Sequence, residues 1–274
     1  MKTKLYMLQE QNKGQMMSYI VQTENGKLIV IDGGDRADGK HLKDMLFQLG
    51  GSKPCVDLWL LTHPHTDHID ALLEILEDPG MLHVEKIYDH FVSEEFMAMY
   101  EAKAVGDAKS LKRYNEWKRK CPEKFADLQE QQTFELDSVK IKVLSVPDGS
   151  ITKNPINNSS AVFRMDTNQN RVLFLGDLSE EGGDYVLSYV PHEELKANYV
   201  QMAHHGQEGV KKEFYKIVNP SVCLWNTPEW LWQNDFGNGY NTGPFLTLEV
   251  RKWMEELGIK KHYITKDGEH VISL

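Results

Sequence analysis

The stretch Thr62-His63-Pro64-His65-Thr66-Asp67-His68 places three imidazoles and one carboxylate within a few positions of one another. It follows directly on the apolar run 56–61, which is typical of a buried strand. In open α/β sheets, ligands bind outside the carboxyl ends of the strands, and these side chains stand at such an end. Imidazole and carboxylate groups are ligands of zinc, manganese and iron. The stretch therefore predicts a metal site, whereas a single loop histidine is more often only solvated or hydrogen-bonded.

The residues around this stretch predict a sheet with helices packed on it. Runs 17–22 and 27–31 are rich in strand-forming residues and are joined through Asn25-Gly26, a strong hairpin signal. The second run ends in Asp32-Gly33-Gly34. Apolar residues recur at the spacing of an amphipathic helix on both sides of the strand, at Leu42, Met45, Leu46 and Leu49, and at Ile69, Leu72, Leu73 and Leu76. His68 is therefore expected near the N-terminus of a helix.

Two apolar runs in the second half of the chain end in candidate ligands. The run 172–175 leads into Gly176-Asp177, and the run 199–202 leads through Ala203 into His204-His205-Gly206. Gly-Asp is also a common turn pair, so it is weak evidence on its own. Adjacent histidines after an apolar run, with a glycine that permits a tight turn, favour a ligand position.

Residues 93–132 differ in character from their surroundings and predict an inserted helical segment. Many charged residues accompany the apolar positions, so the basic run Lys118-Arg119-Lys120 is interpreted as part of a solvated helix face rather than a contact patch. Strand-like composition returns at 139–143, and a closing helix is expected over 248–257. Strands that alternate with helices in both halves predict two packed sheets with helices outside, and we treat residues 1–274 as a single domain.

Composition and charge limit the class of protein. The chain has 274 residues and a net charge of -10, which argues against a broad grip on a nucleic-acid backbone but leaves small anionic substrates open. Residues 1–6 lack the features of a secretory signal, and no apolar stretch is long enough to span a bilayer. The scattered Cys55, Cys121 and Cys223 fit reduced thiols better than a disulfide framework. We expect a cytoplasmic protein without a membrane segment, and the sequence predicts no oligomeric state.

Taken in chain order, these motifs resemble the metallo-β-lactamase superfamily. The resemblance rests on His63-x-His65-x-Asp67-His68 with Asp32 upstream and with Gly176-Asp177 and His204-His205-Gly206 downstream, and it covers most of the sequence. It implies an α/β fold, the four-layer αββα sandwich, with two metal ions at the edge between the sheets. The inserted segment and the last 60 or so residues are not covered by the motif.

Within the superfamily, the chain resembles the hydrolase domain of the bacterial competence DNA-uptake (ComEC-like) proteins and its stand-alone relatives. Gly14-Gln15, Asp32-Gly33-Gly34 and Asn157-Asn158-Ser159-Ser160 correspond to motifs of that branch. The chain departs from it at Met16-Met17, where the branch usually has glycine and aspartate. The separate third histidine of the wider superfamily has no counterpart, because that segment holds the two asparagines.

The resemblance implies ligands for two divalent ions, zinc or manganese, with iron possible. The first site would be formed by His63 and His65, and the second by Asp67, His68 and one of His204 and His205. Asp177 would bridge the two sites. Asn157 or Asn158 would complete the first site through a carbonyl oxygen, which favours a harder ion such as manganese. Asp32 would hold the histidine loop by hydrogen bonding rather than bind a metal.

Asp67, His204 and His205 are the residues expected to take part in catalysis. One of the two adjacent histidines would bind a metal, and the other would face the substrate, where it stabilises a phosphoryl oxygen or protonates a leaving group. Two cations would lower the pKa of a shared water from about 15.7 toward roughly 7 and so supply hydroxide. The implied function is a metal-dependent hydrolase of a phosphodiester, with a small or nucleic-acid-derived substrate; binding of extended nucleic acid stays open.

Two other functions are compatible with the same residues. One is hydrolysis of a thioester, a lactone or another carboxylic ester or amide, because a fold does not fix a reaction. The other is a di-iron redox or non-catalytic metal-binding module, although no glycine-rich flavin fingerprint is visible. Aromatic residues in the tail could form a wall beside the metals, but we favour core packing for them: Trp225, Trp230, Trp232 and Tyr240.

Overall fold

Two β-sheets face each other in a computed structural model that describes residues 2–147 and 149–274. Met1, the first residue of the predicted domain, and Asp148 lie outside the described residues. The strands of the first sheet are β1 Lys4–Met7, β2 Ser18–Gln22, β3 Leu28–Asp32, β4 Cys55–Leu60, β5 His83–Val84, β6 Ile87–Asp89, β7 Phe125–Asp127 and β15 His270–Ser273. Their order is β15-β1-β2-β3-β4-β6-β7, with β5 paired to the start of β4.

The second sheet is built from the rest of the described strands. These are β8 Thr133–Leu136, β9 Val139–Ser145, β10 Val162–Asp166, β11 Arg171–Phe174, β12 Tyr199–Gln201, β13 Val222–Trp225 and β14 Lys261–Ile264. Their order is β14-β13-β12-β11-β10-β9-β8. The strands from β11 to β14 run parallel, so their carboxyl ends meet at one edge of the sheet.

Helices cover the outer faces of both sheets. They are α1 Gly39–Gly50, α2 Thr66–Glu77, α3 Glu94–Tyr100, α4 Val105–Lys120, α5 Glu180–Tyr189, α6 His192–Leu195, α7 Lys212–Val218, α8 Glu229–Trp232 and α9 Thr247–Glu256. One apolar core lies between the sheets, a second lies under α1, α2 and α4, and a third lies under α5, α7 and α9. The predicted αββα sandwich is confirmed. None of the helices formed by the described residues is long and apolar enough to cross a membrane.

The segment 93–132, predicted as a helical insertion, is not wholly helical. It contains α3 and α4, but β7 follows them and pairs in parallel with β6, which extends the first sheet. Phe125 in β7 packs into the core under α1, α2 and α4. A three-residue strand is too short to show the alternation by which strands are recognised, so the helical pattern upstream dominated the interpretation.

Four strand ends bring predicted site residues to one edge of the sandwich, and a fifth brings Asn226. Asp32 ends β3, and β3 runs parallel to β4, which leads into the histidine stretch. Asp177 follows β11, and the adjacent histidines follow β12. Asn226 follows β13. The Trp59 indole N–H donates to the Asp32 carbonyl at 3.0 Å and ties β3 to β4 directly below this edge.

Candidate metal centre

The histidine stretch turns from β4 directly into α2. His65 occupies the N-cap position in extended conformation, and Asp67 and His68 lie in the first turn of the helix. The Thr66 N–H, which no intrahelical acceptor can satisfy, donates to the Asp107 carboxylate of α4 at 2.9 Å. A carboxylate is favourable at a helix N-terminus, so α4 holds the stretch in place from outside.

One compact group of donor atoms comes from Asp67, His68 and His205. Their oxygen and nitrogen atoms lie within 4.8 Å of one another. His205 Nε2 is 3.1 Å from Asp67 Oδ2, and His68 Nε2 is 4.0 Å from the same oxygen. All three atoms are buried and have no hydrogen-bond partner among the described residues. Buried polar atoms are rarely left unpaired, so this group fits a metal ion.

Asp177 lies between this group and the first two histidines of the stretch. Its Oδ1 is 3.4 Å from His68 Nε2 and is itself buried without a hydrogen-bond partner. Its Oδ2 is 3.4 Å from His205 Nε2 and 3.8 Å from His63 Nε2. His65 Nδ1 lies 3.0 Å from the same His63 Nε2 atom. The carboxylate can therefore serve both donor sets.

Hydrogen bonds at Nδ1 orient the imidazoles so that Nε2 faces the centre. His63 Nδ1 lies 3.0 Å from Thr62 Oγ1, and His68 Nδ1 lies 2.8 Å from the Asp32 carboxylate. His205 Nδ1 donates to the Asn226 carbonyl at 2.9 Å, and His204 Nδ1 donates to a backbone carbonyl at 3.2 Å. With the Nδ1 hydrogen engaged, each neutral ring offers the Nε2 lone pair to a metal.

The electrostatics of the centre favour a cation. Burial lowers the pKa of His63 well below its usual value, which keeps this ring in the neutral, ligating form. Burial also disfavours the charged form of His205, but Asp177 and Asp67 outweigh it and raise its pKa to about 10. Burial disfavours the Asp177 carboxylate too, yet His205 and His68 hold its pKa well below the usual range. The carboxylates are thus ionised, and a divalent ion would displace the proton that they otherwise hold on His205.

The His-His-Gly turn sends its two imidazoles to different places. His204, His205 and Gly206 have φ angles of 51°, 53° and 77°. A Cβ at Gly206 would lie 2.3 Å from the Trp225 ring, so only glycine fits there. Thr227 Oγ1 donates to the His205 carbonyl and holds the turn. His205 is fully buried in the centre, whereas the His204 side chain is 16% exposed and its Nε2 is 4.0 Å from Asp177 Oδ2.

The two asparagines differ in position. Asn158 Oδ1 accepts from the backbone N–H groups of Ser179 and Gly182 at 2.9 Å each, so it caps the start of α5. Asn157 Nδ2 lies 3.3 Å from His204 Nε2, and Asn157 Oδ1 is buried without a hydrogen-bond partner. Of the two residues, Asn157 is the one placed beside the centre.

Sequence reasoning missed the residues that support the candidate ligands. Thr62 Oγ1 donates to Asp32 at 2.8 Å, and Ser160 Oγ accepts from the Asp177 N–H at 2.9 Å. Tyr19, from β2, donates to Asn226 Oδ1 and so fixes the segment that orients His205. For Asn226 a signal existed, because it follows an apolar strand as Asp177 does. Nothing local marks Tyr19, which is a core aromatic 207 positions away.

The aromatic residues of the tail divide between core and surface. Trp225 is fully buried and packs edge-on against Trp232 at 5.2 Å between ring centroids. Trp230 packs against Phe245 at 5.6 Å. Tyr240 is 64% exposed. Core packing therefore describes Trp225 and the partly buried Trp232, whereas Trp230 is half-buried outside the core and Tyr240 lies at the surface.

Replacing Asp32 by asparagine is expected to weaken metal binding by roughly 10–100-fold. The fully buried Asp32 carboxylate accepts from the Thr62 N–H and Oγ–H at 2.8 Å each and pairs with His68, so its loss frees the loop that carries the ligands. Chelator competition measures the affinity. Asp44→Asn, on the exposed face of α1, is the matched control, and equal affinities in the two variants would contradict a supporting role for Asp32.

Comparison with known proteins places the chain in a family. The sequence model of the metallo-beta-lactamase superfamily matches residues 12–205. The chain belongs to the metallo-beta-lactamase superfamily, as the motifs predict. Together with the His/Asp donor groups, this membership supports the general prediction of a metal-dependent hydrolase.

One relative matches a short part of the chain, and three solved structures share the fold at low sequence identity. A UPF0173 metal-dependent hydrolase of Thermodesulfovibrio yellowstonii is 38% identical over 68 residues, 23% of this chain and 22% of that protein, so the match spans about a fifth of the relative's length. The metallo-beta-lactamase fold protein YhfI from Bacillus subtilis is 15% identical, with a TM-score of 0.58 and 99% of each chain covered. Unliganded yeast PDE1 is 14% identical, with a TM-score of 0.55 and full coverage of both chains. CmlA, a diiron beta-hydroxylase from Streptomyces venezuelae, is 13% identical, with a TM-score of 0.56, all of this chain covered and 54% of that one.

Proposed function

We propose that this protein hydrolyses phosphodiesters at a centre of two divalent ions. The observation that carries the proposal is the position of Asp177. Its carboxylate oxygens lie 3.4 Å from His68 Nε2 and His205 Nε2, which group with Asp67, and 3.8 Å from His63 Nε2, which is 3.0 Å from His65 Nδ1. When bound, the ions activate water for attack at neutral pH and stabilise negative charge on the reacting group. The resemblance of the Asn157-Asn158-Ser159-Ser160 and His-His-Gly motifs to the competence-type hydrolases supports a phosphodiester as the bond that is cleaved.

A cleft beside the centre provides room for a small substrate. It has a volume of about 460 Å³ and opens to solvent, and its wall includes His204, Asn157 and Gln207. Because His204 lines the cleft and its Nε2 lies 4.0 Å from Asp177 Oδ2, the ring stands between the donor atoms and the space for substrate. When it is protonated at Nε2 as well as at Nδ1, the ring can give a proton to the leaving oxygen or donate a hydrogen bond to a phosphoryl oxygen from there.

Zinc and manganese are the ions that we propose. Two imidazoles and two carboxylates at Asp67, His68, His205 and Asp177 form a set that suits zinc. The first site, with His63 and His65, lacks the superfamily's third histidine, and the unpartnered oxygen of Asn157, which lies beside His204, would favour the harder manganese ion there. Iron belongs in the same test because CmlA, a diiron enzyme by its name, shares the fold.

Hydrolysis of bis(p-nitrophenyl) phosphate by protein reloaded with zinc, manganese or iron tests the proposal. We expect release of p-nitrophenol that stops on chelation and returns with metal. A thioester and a lactone are assayed in parallel, because the fold also serves other bonds. A protein that cleaves either of these faster than every phosphodiester tried, or that is active only as a coloured iron form with an oxidant, would contradict the proposal.

A further inference from the structure

A second group of metal-ligand side chains lies at the opposite end of β4 from the catalytic centre. Cys55 begins β4, His83 begins β5, and Glu85 follows β5. Their sulfur, nitrogen and oxygen atoms all lie within 4.8 Å of one another. Since a strand rises about 3.3 Å per residue, the length of β4 separates this group from the histidine stretch by roughly 17 Å. The two groups therefore share no ligand.

Backbone pairing, rather than chance side-chain positions, brings the three residues together. Cys55 and His83 are direct partners in the parallel register, and Val56 and Val84 are the next pair. The His83 N–H donates to the Pro54 carbonyl and the Glu85 N–H donates to the Val56 carbonyl, both at 2.9 Å. The two valines are buried, so alternation places all three donor residues on the solvent-exposed face. Sites mounted on paired strands are better preorganised than sites on loops.

The chemistry of the group fits zinc. A thiolate, an imidazole and a carboxylate are the three types of side chain that bind zinc, and three protein ligands leave the fourth tetrahedral position to water. His83 Nε2 already lies 3.0 Å from Glu85 Oε2, and both side chains are more than half exposed, so small rotations suffice to converge on an ion. Burial and the nearby Asp57 and Glu85 carboxylates raise the pKa of the Cys55 thiol, and the same negative charges attract a cation.

From this geometry we propose that Cys55, His83 and Glu85 form a separate zinc site. Occupation would cross-link β4 to the two-residue strand β5, in the connection between α2 and β6. The site is a structural clamp on this edge of the sheet and does not depend on the function proposed for the catalytic centre.

Cobalt titration of the full-length protein tests this site without interference from the catalytic centre. The catalytic donors are histidine and aspartate, so a thiolate-to-cobalt absorption band reports only on a cysteine. We expect the band in the native protein and in Cys121→Ser, its loss in Cys55→Ser, and at least about tenfold weaker cobalt binding in His83→Gln. Absence of the band in the native protein, or a band of equal affinity in His83→Gln, would overturn the proposal.

Zinc protection of the thiol supplies a second measurement. In the Cys121→Ser background Cys223 is buried, so Ellman's reagent reports on the exposed Cys55. Zinc is expected to slow that reaction about tenfold or more, and His83→Gln should abolish the protection while the thiol stays in place. Equal reaction rates with and without zinc would refute the site, and the melting temperature of each variant shows that it is folded.

Discussion

Replacing Asp177 by asparagine is expected to lower kcat/KM for the phosphodiester by about three orders of magnitude or more, on the order of 4 kcal/mol of transition-state stabilisation. The substitution keeps the shape of the side chain but removes its charge and one of its two carboxylate oxygens. Those oxygens lie 3.4 Å from His68 Nε2, 3.4 Å from His205 Nε2 and 3.8 Å from His63 Nε2, so this carboxylate is within reach of both donor sets. The variant should also bind fewer ions.

Steady-state kinetics and metal analysis of the same preparations measure both effects. Asp184→Asn, on α5 a few residues further along the chain, is the control, because its carboxylate is exposed and pairs only with the Lys211 ammonium among the contacts of the described residues. It should behave like the native protein. An Asp177→Asn variant that retains two ions and hydrolyses at near-native rates would show that this carboxylate does not bridge.

The regular elements and the superfamily could be predicted from the sequence because their signals are local. The apolar run before the histidine stretch became β4, and the spacing of Ile69, Leu72 and Leu73 placed a helix where α2 begins. The rule that polar residues directly after buried strands gather at one sheet edge predicted that Asp177 lies near the histidine stretch, and the structure places it there. Each of these inferences uses residues that are neighbours in the chain, and short-range periodicity is where sequence patterns are most informative.

The details of the site depend on contacts that sequence distance hides. His204 and His205 are adjacent and look equivalent in the sequence. The left-handed turn, in which Gly206 packs against the Trp225 ring, decides which of the two side chains enters the centre. The hydrogen bond between Thr66 and Asp107 joins two helices through residues that are 41 positions apart. Likewise, β7 is recognised by its pairing with β6 and not by its composition. Such contacts arise from tertiary packing, which no local pattern encodes.

Substitution of the two adjacent histidines by alanine, one at a time, is expected to have different effects. His205→Ala removes a buried imidazole that lies 3.1 Å from Asp67 Oδ2, so it should lose one ion and about three orders of magnitude in rate. His204→Ala should retain both ions, because His204 lines the cleft and does not belong to the group formed by Asp67, His68 and His205. Metal content measured on the two variants separates these outcomes.

The leaving group of the substrate shows what His204 does. If its Nε2 supplies a proton to the departing oxygen, His204→Ala should slow cleavage of an ester with an alkyl alcohol leaving group by roughly 100-fold. Cleavage of a p-nitrophenyl ester should fall less than about tenfold, because p-nitrophenolate departs without a proton. Asn157→Ala is the matched variant, since Asn157 lies beside the same ring at 3.3 Å. An equal loss of rate for both leaving groups would exclude proton donation by His204. Loss of an ion from His204→Ala but not from Asn157→Ala would instead make His204 the nitrogen ligand that replaces the superfamily's third histidine.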